Sequence, residues 1–391
     1  MLVAVVGGNL QGVEATYLAH KAGWEVLLID KKGHVPASGM CDIFVQLEVN
    51  EEQGLDNVLN GVDLVIPALE NEKALAVLGH YARNSGIPFA FDSEAYEVSL
   101  SKKRSNRLFA TMGLPAPKTW PECGFPVIAK PNKGSGSSGI RIIRNNDEWS
   151  DFISESILYK DWVLQEFISG PSYSLEVIGV PRKYVPIQVT DLFMDVVYDC
   201  KRVIAPTELP PEYVSEFEKV SMLIAGSLNL RGLMDVEVIF HCGVLKVLEV
   251  DARLPSQTPI TVYWSTGVNL VHILRKLFLH GHDPYQMSIS TERGVVLEHI
   301  KVSPGLLEIT GEHIMSGIGP LRVYTDFFGA DEAITNYASG RDEWVATLIC
   351  TGSNRQEAWA RREGVIQDIR EKIGKHSYIE TTPFDNLKNA I

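Results

Sequence analysis

The stretch Gly232–Thr261, G-L-M-D-V-E-V-I-F-H-C-G-V-L-K-V-L-E-V-D-A-R-L-P-S-Q-T-P-I-T, constrains the chain more than any other. Apolar and polar residues alternate over Met234–Phe240 and again over Val244–Val250, with His241-Cys242-Gly243 between them. That alternation is the period of a strand with one buried face, so the stretch predicts two adjacent strands and a turn. Asp235 and Glu237 share a face of the first strand, and Glu249 and Asp251 share a face at the end of the second. Antiparallel pairing would gather all these carboxylates, which repel one another unless a cation sits among them. Hard oxygen ligands favour Mg²⁺, and Mg²⁺ usually brings phosphates. Arg253 follows on the same face, placed to meet an anion beside the metal. The competing reading is an acidic hairpin turned to water. The aliphatic setting and the L-P-S-Q-T-P run that follows weigh against it.

A chain of 391 residues has room for two or three domains. Its net charge of -13 argues against nucleic acid as the main partner, so any phosphate must be met by locally placed basic groups and backbone N–H groups. The five cysteines are scattered without a C-x-x-C, which suits reduced thiols in a cytoplasmic protein. The start M-L-V-A-V-V-G-G has no basic leader, and no apolar run approaches the roughly 18 residues of a membrane span.

Leu2–Val6, the glycine turn Gly7–Gly12, a helix to Lys21 and a strand from Glu25 form a β-α-β start. Asn9 stands where the middle glycine of G-x-G-x-x-G belongs, which counts against a nicotinamide cofactor. The turn holds a substrate carboxylate or serves packing. Strands are expected at Ile43–Leu47, Val62–Ile66 and Pro88–Phe91, closing a first domain near Asp92. Glu70 and Asn71 follow a strand end, where parallel sheets bind ligands; they suit an amine or a ribose, or else cap a helix. Ser101–Arg107 is a basic run leading into a helix, either a solvated face or the source of a phosphate-directed lysine. A strand ending at Lys130 then meets a Gly/Ser loop, Asn132–Gly139, whose N–H and hydroxyl groups can wrap phosphate oxygens like a lid. It lacks the Walker A pattern. Trp162–Ile168 reads as a strand whose end faces an adenine, and alternation continues over Ser172–Val177. His299, a lone histidine on the strand Val295–Val302, carries no assigned role. The tail from Pro304 reads as a smaller α/β unit without recognisable chemistry.

This order of parts, ending in the acidic hairpin L-E-V-D-A-R-L-P-S-Q-T-P, resembles the ATP-grasp superfamily. With the opening G-G-N-L-Q-G and the segment V-Y-D-C, it is similar within that superfamily to the 3-methylornithine–L-lysine ligases of pyrrolysine biosynthesis. The likeness spans nearly the whole chain, is strongest between Gly232 and Leu274, and weakens over the last hundred residues. It implies an α/β chain with an ATP-grasp fold, α+β in its nucleotide-binding part. A Rossmann-like domain over 1–92 would precede the ATP-grasp region over 93–300, with a lid at about 118–172, and a C-terminal α/β domain over 301–391 would complete the grasp. The cofactors implied are ATP and Mg²⁺. The substrates are 3-methyl-D-ornithine or D-ornithine and L-lysine, with a homodimer as the candidate assembly.

Carried over by position, the resemblance puts Glu237, Glu249 and Asp251 on Mg²⁺ and Arg253 on the acyl phosphate as the catalytic residue. Asp251 stands where many members have asparagine. Lys102, Lys130, Ser137, Ser138 and Glu249 would meet the phosphates of ATP, and Gln165, Glu166, Phe167 and Ile168 would border the adenine. Ser174, Leu175, Glu176, Asp235, Ser256, Gln257, Thr258, Pro259, Ile260 and Glu298 would bind the ornithine-like substrate. Leu10, Gln11, Gly12, Glu70 and Asn71 would form the lysine pocket. The amine must be neutral to attack, so a nearby carboxylate would take its proton. Other readings stay open: a dipeptide or D-amino-acid ligase, a carboxylase, a dehydrogenase, or a nucleotide-binding module without catalysis. Several acidic groups in one pocket favour a diamino acid over bicarbonate or alanine.

Overall fold

Short apolar runs at Leu2–Val6, Glu25–Asp30, Ile43–Gln46 and Leu64–Pro67 (β1–β4) pair in parallel in the order β3-β2-β1-β4. Helices Leu10–Lys21, Leu55–Leu59 and Glu72–Ser85 (α1–α3) connect or follow them. This computed structural model describes residues 1–50, 52–134, 136–137, 139–155, 161–280, 292–372, 374 and 377–383; Ser138 lies outside them. The expected strand at Pro88–Phe91 is reduced to a single bridge, Val65 to Phe89. Pro88 has no N–H to continue a ladder, and only its carbonyl and the Ala90 N–H reach Val65. The Asp92 carboxylate accepts from Glu94 and Ala95 N–H and starts the helix Ser93–Ser99 (α4).

Helix α5, Lys102–Met112, holds the basic run. Beyond it Val127–Pro131, Arg141–Ile143 and Trp162–Glu166 (β5, β6, β7) make a small antiparallel sheet in the order β6-β5-β7, packed on helix Asn146–Glu155 (α6). A second, eleven-stranded sheet starts from Ser172–Val180, Lys183–Met194 and Cys200–Ala205 (β8–β10). Helix Pro211–Ser227 (α7) covers its apolar face and leads into the hairpin Gly232–His241 and Val244–Asp251 (β11, β12). Cys242 at φ 50° and Gly243 at φ 78° form the two-residue, left-handed turn that matches hairpin twist.

Helices Thr258–Thr266 and Leu270–His280 (α8, α9) pack between this sheet and α1. Then come Gly294–Ser303, Leu306–Ile309, Arg322–Phe327, Ala330–Thr335 and Trp344–Gly352 (β13–β17), helix Arg355–Lys372 (α10) and Ser377–Glu380 (β18). The large sheet runs β12-β11-β8-β9-β10-β13-β17-β16-β15, with β14 and β18 branching from β13. Residues 300 and 301 are therefore consecutive inside β13, which pairs with β10 on one side and β17 on the other. No linker separates the tail from the centre at that point. Among the described residues, no helix is long and apolar enough to cross a membrane.

Candidate active site

Strand register assembles the acidic cluster. In the antiparallel β11–β12 pair, Asp235 lies opposite Asp251 and Glu237 opposite Glu249. On the other side of β11, Asp235 lies opposite Glu176 and Glu237 opposite Ser174. Residues directly opposite share a face, so three strands present two polar rows to one side of the sheet. Ser174 is wholly buried and donates its hydroxyl to Asp235. Among the described residues, neither carboxylate oxygen of the fully buried Glu176 has a hydrogen-bond partner.

Crowding acids away from water favours their neutral forms. Burial, then Glu176, pushes Asp235 far above the usual carboxylate range. Burial, then Asp235 and Glu249, pushes Glu237 up to about 8. Burial pushes Glu176 to about 7, and Asp251 reaches about 7 even though Arg253 opposes the shift. An unfolded carboxyl titrates near ~4. Between these values the unfolded chain releases protons that the folded chain keeps. The cluster's contribution to stability is therefore full below pH ~4 and is lost as pH rises through about 7 to 8. Thermal melts without ligand should show a falling midpoint from pH 6 to 8.5, with less fall when Mg·ADP is present. A rising midpoint would refute this account of the cluster.

Two cavities meet at this cluster. One, of about 590 Å³, is walled by Lys102, Lys130, Ser137, Gln165, Glu166, Phe167 and Ile168. The other, of about 440 Å³, is walled by Leu10, Gln11, Glu70, Asp235, Asp251, Arg253, Ser256, Gln257 and Thr258. Gly136, Ser137, Glu237 and Glu249 border both. The cationic side chains stand at the junction. Lys102, in the first turn of α5, reaches Glu249 at 2.9 Å and Gly134 O at 2.7 Å. Asn132 anchors that turn by accepting from Lys103 N–H, and its carbonyl accepts from Lys102 N–H. Burial lowers the ammonium pKa of Lys130, with Glu249 offsetting it. Arg253 bridges Asp251 at 2.6 Å and Glu70 at 2.5 Å. Hard, mutually repelling oxygens on Glu237, Glu249 and Asp251 suit a divalent cation chemically. As placed, Glu249 and Asp251 are turned to Lys102 and Arg253, and among the described residues no three acidic, His or Cys side chains surround a common point.

Six residues assigned to substrates present no side chain to the cavity: five are engaged elsewhere and Gly12 has none. Leu175 alternates to the opposite face of β8 and packs in the core beneath α7. Ile260 is buried in the core shared with α1, and Pro259 opens α8. Gly12 is a packing position, since a Cβ there would lie 2.1 Å from Gly7 O. Asn71 caps α3, accepting from Ala74 N–H at 2.9 Å. Glu298 is fully buried between Arg202 and Arg362. In the glycine turn Gly8 N–H donates to Asp30 at 2.8 Å, while Asn9, Leu10 and Gln11 border the smaller cavity.

Several residues on these walls carry no signal in the local sequence. Glu312, from the tail, lines the amino-acid-sized cavity and accepts from Ser256 Oγ at 3.1 Å. Burial raises its pKa. Glu380, on β18, lines the other cavity together with Lys201 and Arg202. The tail thus does contribute to the site.

A family model described as an ATP-grasp domain matches residues 101–257. The 3-methyl-D-ornithine–L-lysine ligase of Methanosarcina mazei is 33% identical over 374 residues, 95% of this chain and 96% of that one. Its counterpart in Methanosarcina barkeri is 33% identical over 376 residues, 95% of this chain and 98% of that one. Among solved structures, the biotin carboxylase domain of Hydrogenobacter thermophilus 2-oxoglutarate carboxylase is a dimer with MgADP, ADP and bicarbonate. It matches at TM-score 0.71 and 17% identity, covering 93% of this chain and 89% of that one. The ADP complex of N5-carboxyaminoimidazole ribonucleotide synthetase matches at TM-score 0.68 and 13% identity, covering 95% and 97%. At such identities these structures speak for the fold. With paired cavities meeting at an acidic hairpin and full-length relatives named as ligases, the chain belongs to the ATP-grasp family of ATP-dependent carboxylate–amine ligases, alongside the 3-methyl-D-ornithine–L-lysine ligases.

Proposed function

We propose that this ligase joins the carboxylate of 3-methyl-D-ornithine to the ε-amine of L-lysine, the amide-forming step of pyrrolysine biosynthesis. The observation that carries the proposal is the acid-rich lining of the smaller cavity. Glu70, Asp235, Asp251 and Glu312 all border it, with Arg253 as its cation. A cavity so acidic suits substrates that bring ammonium groups, and it suits bicarbonate poorly.

ATP would occupy the larger cavity, its triphosphate directed to the junction by Lys102, Lys130 and the Ser137 lid. Glu237, Glu249 and Asp251 would hold Mg²⁺, which supplies charge neutralisation to the phosphates when bound. An oxygen of the ornithine carboxylate attacks the γ-phosphorus and ADP leaves. Arg253 steadies the negative charge of the resulting acyl phosphate. The neutral lysine Nζ then attacks the acyl carbon, the C–O bond breaks with its electron pair on phosphate, and the nitrogen loses its extra proton. Glu312, whose pKa burial raises, suits the role of proton acceptor. Most of the rate enhancement comes from holding reactants in line among fixed charges.

Incubation with ATP, Mg²⁺, D-ornithine and L-lysine should yield one amide, with one ADP per amide, read by mass spectrometry. An amino-acid mixture should give the same product in excess. ADP formation that ignores both amino acids, or a dipeptide of neutral residues as the main product, would remove this reading.

A further inference from the structure

Glu14 lies on α1, beside the parallel sheet, yet the residue is only 3% exposed and its carboxylate is turned toward α8. Its Oε1 accepts from Ile260 N–H at 2.6 Å and its Oε2 from Gln257 N–H at 3.1 Å. The first turn of a helix leaves N–H groups without helical partners, and a carboxylate there satisfies them while meeting the positive end of the helix dipole. No side chain of the Ser256–Thr258 segment does this work; Gln257, at the N-cap position, makes no cap bond of its own.

The segment held in this way is unusual on two counts. Gln257 has φ 70° and ψ -54°, a backbone state that a glutamine keeps only where its surroundings impose it. The residue is 7% exposed and borders the smaller cavity, and its Oε1 has no hydrogen-bond partner among the described residues. A buried, unpaired acceptor on the wall of a cavity is costly unless something there donates to it. Burial raises the pKa of the Glu14 carboxyl, the two backbone N–H groups oppose the shift, and the nearby Glu312 and Glu176 add to it. A buried acid among other acids is retained only against an opposing cost, and here it fixes two backbone N–H groups.

We infer that Glu14 is a positioning residue for the amino-acid site: it locks the Ser256–Thr258 segment in the form that presents Gln257 to the substrate. It also ties that segment to the opening turn of α1, where Leu10 and Gln11 border the same cavity. The inference rests on the proposed reading of this cavity as the site of the ornithine-like substrate.

The test uses the full chain and two variants. Glu14→Gln keeps the shape but sets an amide NH₂ against one backbone N–H, whereas Glu14→Asp keeps both acceptor oxygens. Losing a buried bond of this kind corresponds to about tenfold. Glu14→Gln should raise the KM for D-ornithine about tenfold, with the KM for ATP and the affinity for MgADP by calorimetry within about twofold of the parent. Glu14→Asp should recover part of the loss. Hydrogen exchange at the Gln257 and Ile260 amides should quicken by about tenfold in Glu14→Gln, with no change at Lys130. Equal rises in both KM values, lost MgADP binding, or unchanged exchange at 257 and 260 would overturn the inference. A parent protein whose turnover ignores D-ornithine would overturn the substrate reading instead, and the exchange data would then judge Glu14 alone.

Discussion

Glu249→Gln is expected to lower kcat/KM for ligation by about 10²–10³-fold, the usual cost of removing one preorganised charge from a transition-state site. The amide keeps the shape of the side chain and one acceptor oxygen. It loses the charge that meets Lys102 at 2.9 Å and that stands, with Glu237, where the two cavities join. The same change should leave the ligand-free protein as stable as the parent or more stable. Glu249 raises the pKa of both Glu237 and Asp251, so removing its charge relieves a repulsion. Its pair with Lys102 is partly exposed, and such pairs contribute little to stability. Activity and stability moving in opposite directions mark a group kept for function at a cost to the fold. Kinetics paired with thermal melts would check this, and turnover within threefold of the parent would take Glu249 out of the reacting centre.

The hairpin was readable because its logic is local. Alternation over Met234–Phe240 and Val244–Val250 makes the two strands legible, but a two-residue turn alone would set Asp235 against Val250; an irregularity between Val247 and Glu249 shifts the register by one and brings Asp235 to Asp251 and Glu237 to Glu249. The same period should have excluded Leu175, which stands between Ser174 and Glu176 and must point the other way. Alternation does not say what lies opposite a face. Glu298 sits on a strand as apolar as β11, but α10 covers it and brings Arg362. Glu14, Glu312 and Glu380 are the converse case. Each joins the site from a distant part of the chain, through contacts of 243 residues for Glu14 with Gln257 and 56 for Ser256 with Glu312. No pattern within a short window records such a contact. The helix start at Asp92 is visible as a cap residue, whereas position 300 lies inside a strand because sheet neighbours are set by topology.

The largest loss of stability should come from Glu298→Ala. Glu298 has no exposed surface, and its carboxylate accepts from Arg202 Nε at 2.5 Å and from Arg362 Nε at 2.7 Å and Nη2 at 3.0 Å. The two guanidiniums flank the Trp359 ring, with Cζ at 4.8 Å and 5.0 Å from its centroid. Glu380 supplies a second acid, 2.6 Å from Arg202. Alanine would leave two buried cations sharing one peripheral carboxylate, and breaking a buried pair from one side costs about 3–5 kcal/mol. That is a large part of the ~5–15 kcal/mol that holds a domain folded. Urea unfolding should show the midpoint falling with an unchanged slope. If Glu298 belonged to the substrate site, the variant would instead fold normally and lose D-ornithine binding. Its ammonium-binding candidacy and its structural role therefore predict opposite results. Because Arg202 and Glu380 also border the larger cavity, any kinetic effect in the folded fraction should fall on the KM for ATP before that for D-ornithine. A loss below about 1 kcal/mol would show that Arg202 and Arg362 find other partners once Glu298 is gone.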